Sequence, residues 1–205
     1  MKRNRLTTLW IPVIALMLAS PFPAAAEEAA GGDGASAGGQ VDKNRYYIVQ
    51  QAQYGYIDQT GKVVIQPRFQ WGDRFSEGYA SVKEGGRYGY IDKNGQFIAA
   101  PQYEAGWEFS EGMAAVRLDG KYGYIDSTGK MVIAPKYDFA GRFAEGRARV
   151  LVENWWGYID HRGQYVLQPK FDQAWDFEDG LGRVQIEDKL GYVNAEGKFV
   201  WEPAR

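Results

Sequence analysis

The sequence predicts an all-β fold of five 34-residue repeats, each a three-stranded antiparallel meander, stacked in an open curved array. Three observations predict it. Landmarks recur without insertion or deletion: Gly55, Gly89, Gly123, Gly157 and Gly191 are 34 residues apart, and Pro67, Pro101, Pro135, Pro169 and Pro203 keep the same interval. No stretch free of Gly and Pro within the units exceeds ten residues, which leaves little room for paired helices. The short runs between this punctuation alternate with period two. Ala114, Val116 and Leu118 face one way and Ala115 and Arg117 the other, while Val63 and Ile65 oppose Val64.

Each element follows from its residues. The first strand of a unit is a run such as Ala80 to Glu84, and a tight turn, Gly85-Gly86 or Asp119-Gly120, leads to the second, such as Tyr88 to Asp92. An Asp-x-x-Gly turn comes next: Asp58 to Gly61, Asp92 to Gly95, Asp126 to Gly129, Asp160 to Gly163, with Asn194 to Gly197 in the last unit. An Asp or Asn oxygen accepts backbone N–H bonds two residues on, and the glycine supplies a left-handed conformation. The third strand, such as Gln96 to Ala100, is closed by proline, which has no N–H to extend the ladder. Twelve-residue connections such as Arg68 to Tyr79 follow. They carry Phe69, Tyr103, Tyr137 and Phe171, then Phe75, Phe109, Phe143 and Phe177 in a Phe-x-acid-Gly motif. These rings are read as wedges between successive sheets, each contributing about 1.5–3 kcal/mol on full burial. The units span about 46–67, 80–101, 114–135, 148–169 and 182–203, within a domain of residues 46–205. The array opens on a first strand (Tyr46 to Gln50) and closes on a third (Lys198 to Glu202), so no strand is held back to complete a ring by exchange. That favours the open array over its alternative, a closed five-bladed propeller-like ring.

Before the repeats lies an address. Lys2, Arg3 and Arg5 precede an apolar run from Leu6 to Ala19, and Ala24-Ala25-Ala26 supplies the small residues a signal peptidase reads. The run is too short for a typical membrane span, so residues 1–26 are read as a cleaved signal peptide, with an uncleaved anchor as the competing reading. Cleavage removes three positive charges and no negative one, taking the formal charge from −2 to −5 and placing an acidic protein in the periplasm or outside the cell. Residues 27–45 hold no aromatic and only Val41 as a large aliphatic, the composition of a flexible linker.

Composition excludes several functions. With no cysteine there is no disulfide, thiolate site or cysteine nucleophile, and one histidine cannot build an imidazole metal cluster. Without a basic surplus there is no footprint for nucleic acid.

The run Trp156-Gly157-Tyr158-Ile159-Asp160 resembles the WG repeat, a bacterial family named for that dipeptide. Tyr54-Gly55-Tyr56-Ile57-Asp58, Gly61-Lys62, Pro67 and Phe75 to Gly78 follow the same pattern, and the resemblance covers about residues 46–203. Tryptophan precedes the glycine only at Trp156; Tyr54, Tyr88, Tyr122 and Leu190 stand elsewhere. The resemblance implies an all-β module, often exported, and no shared catalytic residues.

Candidate chemistry is sparse. His161 aligns with Gln59, Lys93, Ser127 and Ala195, a tolerant and solvated turn position. The repeated acids Asp58, Asp92, Asp126 and Asp160, and Glu77, Glu111, Glu145 and Asp179, would line up along a stack as calcium ligands or a glycosidase pair. Acceptance of nearby backbone N–H bonds explains both sets more simply. The basic residues 136, 142, 147, 149 and 170, beside acids at 138, 145 and 153, read as a mixed solvated face. Positions that vary between units are better candidates, because folding already explains those that recur. Trp71, Trp107, Phe139 and Trp175 in the connections, with Trp155 beside the motif, form the candidate binding set; filling gaps between sheets is the competing reading. Trp201 aligns with Ile65 and Ile133 and is expected in the core or as an end cap. The expectation is a monomeric, non-enzymatic exported envelope protein without cofactor or metal, acting as a binding or scaffolding module for a protein partner. An envelope glycan stacked on the same aromatics is the alternative.

Overall fold

The computed structural model describes residues 45–50 and 52–202; the expected signal peptide and all but the last residue of the linker lie outside them. Among these residues every regular element is a strand, and the strands form five antiparallel sheets in chain order. Sheet one joins β1 (Tyr47–Gln50), β2 (Tyr54–Ile57) and β3 (Val63–Phe69). Sheet two runs β4 (Trp71–Gly72), β5 (Tyr79–Glu84), β6 (Arg87–Asp92), β7 (Phe97–Tyr103). Sheet three runs β8 (Ala105–Gly106), β9 (Met113–Leu118), β10 (Lys121–Asp126), β11 (Met131–Tyr137). Sheet four runs β12 (Phe139–Ala144), β13 (Arg147–Val152), β14 (Trp155–Ile159), β15 (Tyr165–Phe171). Sheet five runs β16 (Gln173–Glu178), β17 (Leu181–Ile186), β18 (Lys189–Asn194), β19 (Phe199–Trp201).

The predicted meander is the last three strands of each sheet. A fourth strand, β4, β8, β12 or β16, comes from the connection and pairs with the meander's first strand in sheets two to five. Otherwise that edge would leave a row of backbone N–H and C=O groups without partners. In β4 and β8 the strand is two residues long, too short for period-two alternation to reveal.

The proline does not end the third strand. Strand β3 runs past Pro67 to Phe69, and its register against β2 jumps from Tyr56↔Ile65 to Tyr54↔Phe69. Three residues, Gln66 to Arg68, therefore bulge opposite Gly55, where a proline without an N–H is tolerated. A Cβ on Gly55 would lie 2.6 Å from the Ile65 carbonyl oxygen and 2.6 Å from Pro67 N. The glycine and the proline recur together because one bulge requires both.

The Asp-x-x-Gly turns form as expected. Asp58 Oδ1 accepts from Thr60 N at 2.8 Å and Lys62 N at 3.1 Å, and Asp92, Asp126 and Asp160 repeat the arrangement. The Thr60 and Thr128 hydroxyls, with those amides, hold the Asp58 and Asp126 carboxyls below the usual range. The acid of Phe-x-acid-Gly does something different. Glu77, Glu111, Glu145 and Asp179 have φ between 51° and 54° and are followed by a glycine that also has positive φ. Two consecutive left-handed residues make the tight turn into the following strand, at a cost of about 1–2 kcal/mol for a non-glycine residue. Three of the acids then reach across to the next sheet rather than to a nearby amide. Glu77 accepts from Glu111 N and Gly112 N at 2.7 and 2.8 Å, Glu111 from Gly146 N at 2.9 Å, and Glu145 from Gly180 N at 2.8 Å.

The core lies between sheets. Phe69, Tyr103, Tyr137 and Phe171 are buried, as are Phe109, Phe143 and Phe177, and Phe75 packs against the first cluster at its edge. Edge-to-face pairs cross from sheet to sheet at Phe69–Phe97 and Phe171–Phe199. The motif tyrosines Tyr56, Tyr90, Tyr124 and Tyr158 are fully buried, and each hydroxyl donates at 2.7 Å to a backbone carbonyl 17 residues on, at Asp73, Trp107, Gly141 and Trp175. The stack is open: sheet packs on following sheet, while Tyr47, Ile48 and Val63 on the first and Leu190, Tyr192, Val200 and Trp201 on the last are exposed. Trp201 is therefore not core; it occupies a position buried in the inner units because another sheet covers it there.

Candidate functional site

The connection strands β4, β8, β12 and β16 each form one edge of their sheet, and the variable aromatics lie on or beside these edges. Trp71 opens β4, Trp107 directly follows β8, Phe139 opens β12 and Trp175 lies within β16. All four are half-buried. From sheet three to sheet four they make a continuous seam: Trp107 meets Phe139 at 5.9 Å between ring centroids, and Phe139 meets Tyr122 at 5.4 Å and Trp156 at 5.5 Å. Trp71 stands beside Tyr88 at 5.9 Å in sheet two.

Arginine carries the seam into sheet five. The Arg149 guanidinium lies 5.3 Å from the Trp156 ring centre and 5.9 Å from that of Phe139. It donates to the Ala174 carbonyl at 3.0 Å and pairs with Asp176 at 2.9 Å. Arg183 covers the face of Trp175 at 4.1 Å. Trp175, Asp176, Arg149 and Arg183, with Tyr192, line an open groove of about 500 Å³. On the outer side runs a charge ladder of alternating sign at 34-residue spacing, from Arg74 to Glu108 (3.0 Å), Glu108 to Arg142 (3.4 Å) and Arg142 to Asp176 (3.2 Å). Asp73 lies beside the ladder, and burial, with the nearby Glu108 charge adding, raises its carboxyl above the usual range.

The seam thus unites Trp107 and Phe139, extends to Trp175 through Arg149 and Asp176, and leaves Trp71 one sheet away. Trp155 is not part of it: it sits in the β13–β14 hairpin, paired with Val152 and 47 % exposed. Tyr122, Trp156, Arg149 and Arg183 also belong to the seam, although the sequence does not single them out; the first two stand at recurring motif positions. By sequence Arg149 reads as part of a mixed solvated face. Its replacement of the small or aliphatic Ser81 and Ala115 is the available signal.

Other candidates resolve differently. His161 occupies the predicted turn but is not simply solvated: its ring stacks on Phe143 at 4.2 Å and its Nε2 lies 3.2 Å from Glu111. Lys121 pairs with Asp138, which holds that carboxyl below the usual range with help from Glu153 N. Arg147 donates twice to the Ala195 carbonyl, so the basic group around units three and four is partly structural. Among the described residues no three His, Asp or Glu side chains converge as metal ligands.

Comparison with known proteins gives the following. Four consecutive segments, residues 54–88, 88–122, 122–154 and 156–189, match the model of the WG containing repeat. No curated protein matches this chain in sequence. Among solved structures, a eukaryotic initiation factor superposes with a TM-score of 0.53 at 14 % identity, over 77 % of this chain and 52 % of that one. PorZ, a surface component of the type-IX secretion system of Porphyromonas gingivalis, does so with a TM-score of 0.41 at 10 % identity, over 80 % of this chain and 26 % of that one. The chain spans about half the length of the first and a quarter of the second. The first is a likeness of fold.

Proposed function

The chain belongs to the WG containing repeat family, and from that premise we propose that it is a non-enzymatic, exported binding module for a protein partner in the bacterial cell envelope. The observation that carries the reading is the half-buried seam of Trp107, Phe139, Trp156 and Trp175 edged by Arg149 and Arg183. Tryptophan, tyrosine and arginine are the residues on which protein recognition concentrates. The aromatic contacts favour a protein over a sugar. Phe139 is hemmed in by three rings, and the indole face of Trp175 is covered by Arg183, which leaves fewer open faces for a sugar ring. The basic start, short apolar run and Ala24-Ala25-Ala26 support export to the periplasm or beyond.

The test is chemical crosslinking in intact cells with the full chain as bait. A reproducible protein partner is expected, and its recovery should fall at least tenfold, about 1.4 kcal/mol, with Trp107→Ala and Trp175→Ala combined. The circular dichroism spectrum and melting of the double variant establish that it is folded. If it is not, Arg183→Ala, which uncovers Trp175 without emptying the core, takes its place. Recovery of no protein, recovery undiminished by the folded variant, or loss of recovery when soluble envelope oligosaccharide is present during crosslinking overturns the reading.

A further inference from the structure

The two ends of the stack are unlike, and each lacks what every inner sheet has. Residues of the Ile48 type face the preceding sheet: Val82, Val116, Val150 and Val184 are completely buried, whereas Ile48 is 40 % exposed. Residues of the Tyr192 type face the following sheet: Tyr56, Tyr90, Tyr124 and Tyr158 are completely buried, whereas Tyr192 is 37 % exposed. The turn glycine of each unit after the first rests on the third strand of the sheet before it. A Cβ on Gly95 would meet Ile65 at 3.2 Å, on Gly129 the Ile98 carbonyl at 2.0 Å, on Gly163 Ile133 at 3.1 Å and on Gly197 the Val166 carbonyl at 2.9 Å. Gly61, the first of the series, has nothing within 4 Å. Trp201, which occupies the Ile65 position of the last unit, is 66 % exposed.

Three ladders with a 34-residue step therefore stop on sheet five. Among the described residues the Tyr192 hydroxyl has no carbonyl to donate to, the Asp179 carboxylate has no turn amide to accept from, and no glycine turn covers Trp201. Repeat arrays ordinarily finish with polar caps. Here the last sheet ends instead on Leu190, Tyr192, Val200 and Trp201, and the first on Tyr47, Ile48 and Val63.

We infer that the front of sheet one in one copy stacks on the back of sheet five in another, continuing between chains the contact that joins each sheet to the next within the chain. The occupant is a second copy because the two faces are the two halves of that repeated contact. Continuing its register sets the Gly61 turn of the second copy over Trp201 of the first and buries Ile48 against sheet five. The contact is head-to-tail, so it propagates into chains or closes a ring of several copies. This departs from the monomer expected of the sequence; because Tyr192 lines the groove beside Trp175 and Arg183, a stacked copy covers the sheet-five end of the seam and leaves its Trp107–Phe139 part accessible to a partner.

The experiment is sedimentation velocity of the full chain over a wide concentration series. Mass is expected to rise with concentration. Trp201→Glu and Ile48→Glu should each hold the protein at the mass of one chain. Mixed together, these two variants should give heterodimers and nothing larger, because each retains one intact face. Both changes are at exposed positions, and circular dichroism verifies their folding. The chain has no cysteine, so Lys62→Cys with Val200→Cys gives a second measurement under oxidation. A ladder of crosslinked chains on a non-reducing gel supports the inference. Constant monomer mass overturns it, as does a disulfide formed only within one chain, which would mean that the array closes on itself.

Discussion

Gly129→Ala is expected to lower the stability of the repeat domain by roughly 3 kcal/mol or more, the upper range for a small-to-large change. Two effects add. Gly129 has φ +80°, a left-handed conformation that costs a residue with a Cβ about 1–2 kcal/mol. The new Cβ would also lie 2.0 Å from the Ile98 carbonyl oxygen and 2.7 Å from its carbon, and backbone atoms in a paired strand cannot turn aside as a flexible side chain can. Sheet three would have to separate from sheet two. Gly61→Ala is the control, because Gly61 has nearly the same φ, +84°, with open space around it. It should cost only the conformational term. Urea denaturation of the two variants in dilute solution measures the difference, which is the contribution of close sheet stacking; equal costs would mean that the sheets do not approach as described.

Alkaline unfolding is the second large effect. Tyr56, Tyr90, Tyr124 and Tyr158 are buried with their hydroxyls donating to carbonyls, and burial pushes all four above the ordinary value of 10.0, Tyr90 and Tyr124 most firmly. An unfolded chain ionises these phenols near that value, whereas the folded one keeps them neutral. Their contribution is therefore fully present below about pH 10 and is lost as pH rises toward the folded values. Each withheld ionisation removes about 1.4 kcal/mol per pH unit, so four remove about 5 kcal/mol per unit. A domain of ordinary stability, about 5–15 kcal/mol, then unfolds one to three units above pH 10. Tyrosinate absorbance and the loss of β-sheet circular dichroism should rise in one transition. Smooth titration of these phenols near pH 10 with the fold intact would contradict the burial.

What could be read from the sequence divides along physical lines. Features written locally were legible: the Asp58 cap within five residues, the alternation of Val63 to Ile65, and the 34-residue step itself. Features that depend on where one sheet meets another were not. An acid before glycine reads as a local acceptor, yet Glu77 spans to Gly112, because its left-handed turn aims the carboxylate at the next sheet. Pro67 reads as a strand end, yet a bulge over Gly55 lets the strand continue. Trp201 reads as core or end cap by alignment, and its position would be core if a sixth sheet covered it. For the candidate site, Trp107, Phe139 and Trp175 could be selected as variable, but the arginines that join them depend on packing across sheets four and five.

The claim that the connection-strand edges hold a partner is tested most directly by photocrosslinking in intact cells. A photoreactive residue is placed at position 107 or 175 in the seam, and in a separate chain at 132, an exposed third-strand position away from it. A discrete protein adduct from 107 and 175, with none from 132, is the predicted result. No adduct from the seam, or the same adducts from position 132, would contradict it.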